Sequence, residues 1–385
     1  MKLNPEQESM LNGEQGQTMS LAVRTLVEYG SAFSAQRLVP IKSAHLVGSF
    51  GALPYRAYYR ILDQCINAGL KVKVLTTINP RPGHDLNPLN RIAFARQNYL
   101  EHKIKQLGVT LNYSCVCYDQ DNIPAFGDHL AWAESSAVQF ANSVLGARTN
   151  RNSMLIDLCS AITGVTPEFG YLLDENRRGK ILVKLEIKKM DPSALGFIIG
   201  RKVVNKVPVI EHYDFSRGDL KNMGGAMAAA GAIALFHVEG LTPEAPDMKT
   251  AFAGDSPEST ITITQDDLQS IQAKQPDRAE LVVFGCPHLT YQEAVELAVQ
   301  FTGKRIKKST WFCLTPEARV RFEKTDHYQK IRSIGIKVYS HCPLSALTVQ
   351  LRRKKVLTPS GKLFYYLKGA EYGTVHECIN VSGVA

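Results

Sequence analysis

No apolar run in this 385-residue chain approaches the roughly 20 residues that a membrane-spanning helix needs. The first residues, Met1-Lys2-Leu3-Asn4-Pro5-Glu6-Gln7-Glu8, are polar and acidic, without the basic and apolar regions of a secretory leader. A soluble, cytoplasmic protein is the resulting expectation. Also missing are any Cys-x-x-Cys pair, a ferredoxin-type cysteine run, and the Gly-x-Gly-x-x-Gly or Walker spacings of nucleotide-binding loops. Internal repeats and low-complexity tracts are absent too. In a reducing compartment the eight cysteines should be thiols or metal ligands rather than disulfides.

What is present is ordinary in bulk. Hydrophobic residues make up 44% and charged residues 21%, as in a globular protein, and the length allows two or three domains. The formal net charge of +9 admits nucleic acid, an anionic substrate or an acidic partner. Its densest runs are Lys304-Arg305-Ile306-Lys307-Lys308 and Arg352-Arg353-Lys354-Lys355. Neither is interleaved with the aromatics that single-strand binders use, so the charge reads as solvated surface and nucleic acid is not the expected partner.

Periodicity predicts alternating strands and helices. Residues 44–47, 71–78 and 109–113 read as strands, with helices over 54–68 and 89–107 between them. The last third repeats the pattern, with strands at 280–284, 309–314 and 336–340 and helices between. Such alternation predicts parallel, doubly wound sheets. The polar segment 247–277 reads as a boundary, although 260–264 alternates like an edge strand. The small-residue stretch Gly224-Gly225-Ala226-Met227-Ala228-Ala229-Ala230-Gly231-Ala232 reads as a tightly packed helix, with a phosphate-cradling loop as the alternative.

Three cysteines far apart in sequence each follow a predicted strand: Cys115, Cys286 and Cys342. Ligands of parallel sheets bind at the carboxyl ends of the strands, so three thiols there could converge on one cofactor. Four cysteines normally close an iron–sulfur cluster, and three would leave one iron open to substrate. Cysteine is also a common small buried hydrophobe. Cys313 falls near a strand end as well, and Cys117 could replace Cys115; Cys65, Cys159 and Cys378 read as structural. A second polar concentration runs from Phe126 to Arg151, where a helix start rich in Ser, Glu and His precedes Asn142-Ser143 and Arg148-Thr149-Asn150-Arg151. Arginine forks there suit a carboxylate or phosphate, and a capped helix with surface arginines is the plainer alternative. Asp174-Glu175 and His237-Val238-Glu239 add acid–base candidates.

Taken together, these segments resemble the large subunit of the aconitase X family. The matching pieces are Pro40-Ile41-Lys42-Ser43-Ala44, Thr76-Thr77-Ile78-Asn79-Pro80, Gly127 to Ala137, Ala141 to Arg151, His237 to Glu244, Gly285-Cys286-Pro287-His288 and Pro359-Ser360-Gly361-Lys362. The resemblance implies an aconitase-like α/β architecture of several lobes, with a main region at 1–270 and a C-terminal α/β lobe at 278–385. It implies an iron–sulfur cluster, [4Fe-4S] or [3Fe-4S], on Cys115, Cys286 and Cys342. Substrate contacts would fall at Gly48, Ser49, Asn79, Pro80, Asn142, Ser143 and Lys362. The activities it implies are dehydrations, of mevalonate 5-phosphate in one branch and cis-3-hydroxy-L-proline in another. The family's small swivelling domain, which carries a catalytic serine, finds no room before Ala385, so a separate small subunit is expected as partner alongside a small anionic substrate.

This chain departs from the family pattern at four places: Asn152-Ser153-Met154, Arg81-Pro82-Gly83-His84-Asp85, Cys115-Val116-Cys117-Tyr118 and Pro359-Ser360-Gly361-Lys362. All four fall near the expected pocket and bear on substrate rather than fold. Arg81 or Arg151 could add a phosphate contact, which favours the phosphorylated substrate. A non-catalytic iron–sulfur or RNA-binding protein, or an inactive paralogue, stands as the alternative.

Overall fold

A computed structural model describes residues 1–48, 56–83, 86–349 and 354–384. Part of the second basic run, residues 352–353, lies outside them. Three parallel sheets organise the chain. In the first, β1 (Ser43–Leu46) is flanked by β2 (Leu75–Ile78) and β3 (Leu130–Trp132), in the order β2-β1-β3. Around it pack α1 (Gln17–Ala32), α2 (Arg56–Asn67), α3 (Gln97–Gln106) and α5 (Met154–Thr163), while α4 (Ser135–Ser143) packs with Leu130 and Trp132 into a core shared with the next sheet. The second sheet is built from β4 (Ile181–Glu186), β5 (Pro208–Ile210), β6 (His237–Val238) and β7 (Ser259–Thr264), in the order β6-β5-β4-β7. The span 1–270 therefore holds two separate parallel sheets, besides a two-stranded antiparallel pair of Leu38–Pro40 with Val165–Pro167. β7 is the edge strand expected at 260–264, so the polar segment from 247 onward is part of this second lobe.

The third sheet has β8 (Leu281–Leu289) at its centre. β9 (Ser309–Leu314) and β10 (Lys337–Tyr339) lie to one side, β11 (Val356–Thr358) and β12 (Ala370–Tyr372) to the other. The chain thus winds outward in both directions from β8, and the switch point between β8 and β11 is where an open α/β sheet leaves a crevice. β8 is buried almost throughout, which is why Leu281-Val282-Val283-Phe284 is a continuous apolar run rather than an alternating one. Gly285 takes φ 100°, and a Cβ there would sit 2.1 Å from the Cys313 carbonyl oxygen, so only glycine fits where β8 turns toward Cys286.

The small-residue stretch is helical. It forms most of α7 (Arg217–Gly231), which lies against α6 (Pro192–Val203) at backbone contact distance. A Cβ on Gly196 would meet the Met223 carbonyl oxygen at 2.1 Å. Gly196→Ala should therefore cost about 1–3 kcal/mol of stability through overpacking, read as a lower denaturant midpoint than the unsubstituted chain.

Two predicted elements differ. The helix over 89–107 is broken into Pro88–Ala93 and α3, because the buried Asn90 amide is tied to the carbonyls of Gly83 and Ala346 and fixes the first piece to a distant loop. Residues 109–113 run beside β2 but form only an isolated bridge, Thr77 to Thr110. There the Asn112 side chain accepts from the Ile78 amide, replacing a ladder bond, and Tyr113 adopts φ 50°. Cys115 thus arrives from a turn beside β2 rather than from a strand.

Candidate functional site

The carboxyl ends of the first and third sheets face one cleft of about 410 Å³. From the first sheet come Val47 after β1, Asn79 and Pro80 after β2, and Ala133, Glu134 and Ser135 after β3; Cys115 and Arg151 join them. The third sheet brings Gly285, Cys286 and His288 from β8, Cys342 after β10, and Lys362 from α10 (Gly361–Tyr366), which follows β11. A larger groove of about 590 Å³, lined by Gln17, Thr18, Ser20, Arg24, Gln64 and Asn67, contains no thiol, carboxylate or imidazole.

All three predicted cysteines therefore lie on one cleft, and none forms a disulfide. Cys342 caps the short helix α9 (Pro343–Thr348), and its amide donates to the Arg81 carbonyl at 2.7 Å. Cys286 lies inside β8 where the ladder with β9 shifts register, and its carbonyl accepts from the Ser360 hydroxyl. The sulfur of Cys115 accepts from the His288 amide at 3.2 Å. Burial pushes the Cys115 thiol up to about 12, opposed by the nearby Lys362 ammonium, and burial likewise raises Cys286. A metal centre would reverse this, since thiolates are the ligating form. Cys117 and Cys313 are fully buried in the core and do not line the cleft.

Beside the thiols is a buried ion pair. Lys362 Nζ stands 2.5 Å from Glu134 Oε1 and donates to Ser136 Oγ at 2.6 Å. Glu134 Oε2 accepts from the Ala137 amide at 2.8 Å and from the Ser136 hydroxyl at 2.9 Å, capping α4. Burial alone would lower the Lys362 pKa, but the Glu134 carboxylate and the Cys286 and Cys115 thiols outweigh it and raise it. Burial would raise Glu134, but Lys362 and the capping bonds hold it below the usual carboxylate range. Burial drives His288 down to about 4, leaving a neutral imidazole whose Nε2 lies 3.1 Å from the His341 carbonyl.

The remaining predicted residues divide. Asn79 Oδ1 accepts from the Gly48 amide at 2.6 Å, and Gln97 Nε2 donates to the Gly48 carbonyl at 3.0 Å, so Gly48 holds the cleft wall. Ser49 lies outside the described residues. Asn142 and Ser143 are not brought to the cleft. Asn142 Nδ2 donates to the carbonyls of Thr149 and Ala234, each at 2.9 Å, while Oδ1 accepts from the Thr149 amide. Ser143 Oγ accepts from the Phe236 amide at 2.9 Å. Both side chains are spent tying α4 to the second lobe. The same helix reaches the cleft through its first turn, so Glu134 and Ser135 take the places expected of Asn142 and Ser143. The strand-then-helix order at 130–143 was the available signal, because a helix start after a strand faces the sheet's carboxyl rim.

The two arginines also separate. Arg81 forms a forked ion pair with Glu101, which also accepts from the Tyr113 hydroxyl, and it lines a different pocket. Arg151 lines the cleft and donates to the Ala228 carbonyl at 3.3 Å; among the described residues no carboxylate pairs with it. His237 is buried with its Nε2 at 2.7 Å from the Arg177 carbonyl, and Asp174 pairs with Arg148, so both are structural.

Sequence models of the aconitase X first, second and third domains match residues 1–175, 179–273 and 279–383. The phosphomevalonate dehydratase large subunit of Methanosarcina mazei is 35% identical over 402 aligned positions, covering 99% of this chain and 96% of that protein. The same subunit of Thermococcus kodakarensis is 33% identical, covering 96% and 95%. The cis-3-hydroxy-L-proline dehydratase of Pseudomonas aeruginosa is 29% identical, covering 96% of this chain and 67% of that protein. The crystal structure of Thermococcus kodakaraensis aconitase X in its holo form superposes with a TM-score of 0.88 at 33% identity, covering 99% of this chain and all of that one.

Proposed function

The chain belongs to the aconitase X family, and from that premise we propose that it is the large subunit of an iron–sulfur hydro-lyase that dehydrates mevalonate 5-phosphate. The observation that carries the reading is the single cleft on which three unpaired thiols meet Asn79, Ser135, Arg151 and Lys362. Its donor set suits a cluster: three sulfurs line one cleft, and one already takes an N–H hydrogen bond. Among the described residues no three His, Cys, Asp or Glu side chains are grouped as a single metal ion requires.

Cys115, Cys286 and Cys342 would hold the cluster, which supplies a Lewis-acidic iron for a leaving hydroxyl. The chain's own residues do the rest. Asn79 and Ser135 line the same cleft as the thiols and offer polar contacts there, while the N-terminus of α4 is already capped by the Glu134 carboxylate. Lys362 keeps its proton beside Glu134, so a charged but net-neutral ion pair stands next to the thiols. Arg151, which pairs with no carboxylate among the described residues, is the phosphate contact. Dehydration of a β-hydroxy acid breaks the bond to the hydroxyl and the C–H bond next to the carboxylate, leaving a double bond and water. The proton acceptor is assigned to a serine of a small swivelling-domain subunit; the names of the Methanosarcina and Thermococcus relatives, both large subunits, support such a partner.

The test is turnover by the chain purified without oxygen and combined with a small subunit, offered mevalonate 5-phosphate and cis-3-hydroxy-L-proline in parallel. Mass spectrometry should show loss of one water from the phosphorylated substrate. Loss of water only from the hydroxyproline would overturn the substrate assignment, and turnover of neither would overturn the function. Arg151→Met should raise KM for mevalonate 5-phosphate about 10- to 100-fold with kcat little changed, as expected for one charge-assisted bond made equally in ground and transition states.

A further inference from the structure

His288 reaches all three cysteine-bearing segments. It stands two residues after Cys286. Its amide donates to the Cys115 sulfur at 3.2 Å, and its ring lies 3.1 Å from the carbonyl of His341, the neighbour of Cys342. Its carbonyl is held from the second lobe: Lys221 Nζ of α7 donates to it at 3.0 Å. Lys221 is buried, with 3% of its side chain exposed, and forms an ion pair with Glu293. Glu293 lies in the first turn of α8 (Tyr291–Gln300), and its carboxylate also accepts from the Thr290 amide at 2.8 Å. The segment from His288 to Thr290, just after Cys286, is thus clamped at both ends by one ammonium–carboxylate pair. A buried lysine directed at a main-chain carbonyl contributes nothing to substrate binding, and it lines a separate cavity with Glu293 on the far side of the turn.

We propose that Lys221 is a positioning residue for the iron–sulfur centre: by fixing His288 it holds the N–H···S bond to Cys115 and the relative placement of the three ligand segments. This rests on the proposed cluster reading. A hydrogen bond to a ligating sulfur stabilises the charge there, raises the reduction potential and slows iron loss, and outer residues that orient ligands typically govern metal affinity by about 10- to 100-fold.

The experiment uses the anaerobically purified chain, unsubstituted and as Lys221→Met, with two readouts: the rate of iron release to a chelator and the midpoint potential of the cluster. Lys221→Met should release iron about tenfold faster and show a more negative potential. If Lys221→Met does not fold, Lys221→Arg keeps the cation but displaces the donor, and shifts in the same directions are expected from it. A folded variant of either kind with unaltered release and potential overturns the inference alone. An unsubstituted chain that takes up no cluster overturns the cluster reading and this inference together.

Discussion

Cys286→Ser is expected to leave the chain folded, strip it of iron and acid-labile sulfide, and lower dehydration by about three orders of magnitude. That loss corresponds to about 4 kcal/mol of transition-state stabilisation, the scale a Lewis-acidic metal supplies. The fold should survive because the site of change is a cleft wall and the serine nearly matches cysteine in volume. Cys117→Ser and Cys313→Ser are the controls. Their thiols are fully buried away from the cleft, so they should change stability and leave iron content intact. Iron analysis of the three variants side by side checks the assignment. Equal iron in Cys286→Ser and the unsubstituted chain would remove Cys286 from the ligand set.

Lys362→Met should destabilise the folded chain by about 3–5 kcal/mol at neutral pH, because it leaves the buried Glu134 carboxylate without its counter-charge. The pH dependence has a definite sign. In the unsubstituted chain Glu134 titrates below its unfolded value, so its contribution is present above the ordinary glutamate pKa and is lost as pH falls through the folded one. Without Lys362, burial dominates and Glu134 titrates above its unfolded value. The folded variant then binds the extra proton, and its stability falls as pH rises. The gap between the two chains should be smallest in acid and widest at neutral pH. The double substitution Glu134→Gln with Lys362→Met should recover most of the loss. Denaturant titrations at several pH values measure all of this, and a gap that is constant with pH would contradict the account.

Much of this site could be read from the chain. The apolar runs that become β8 and β9 stand out, and because Cys286 and Cys342 lie at or just past carboxyl ends of parallel strands, convergence on one rim followed. Lys362 and Asn79 are implied by the resemblance of Pro359-Ser360-Gly361-Lys362 and Thr76-Thr77-Ile78-Asn79-Pro80 to the aconitase X pattern, and both line the cleft. The misses have a common physical cause. Asn142 and Ser143 are polar groups in a polar-looking segment, but their hydrogen bonds close on carbonyls and amides brought from residues 149 and 234–236, and a sequence does not display who satisfies a buried amide. Arg81 looked as free as Arg151 until Glu101 came to meet it from α3. Lys221 carried no signal at all; its partner lies 67 residues away at a carbonyl, the least informative group in any sequence. The chain's alternation of elements was legible, while the division of 1–270 into two sheets depends on strand pairing that periodicity alone does not specify.

The measurement that bears most directly on the central claim is the electron paramagnetic resonance spectrum of the reduced, anaerobically loaded chain, recorded before and after addition of mevalonate 5-phosphate. On this account Cys115, Cys286 and Cys342 would hold a cluster with an iron left open to substrate, so the cluster signal should be present and its g-values should move when substrate binds. A cluster signal that mevalonate 5-phosphate leaves unchanged, or no cluster signal at all, would contradict it.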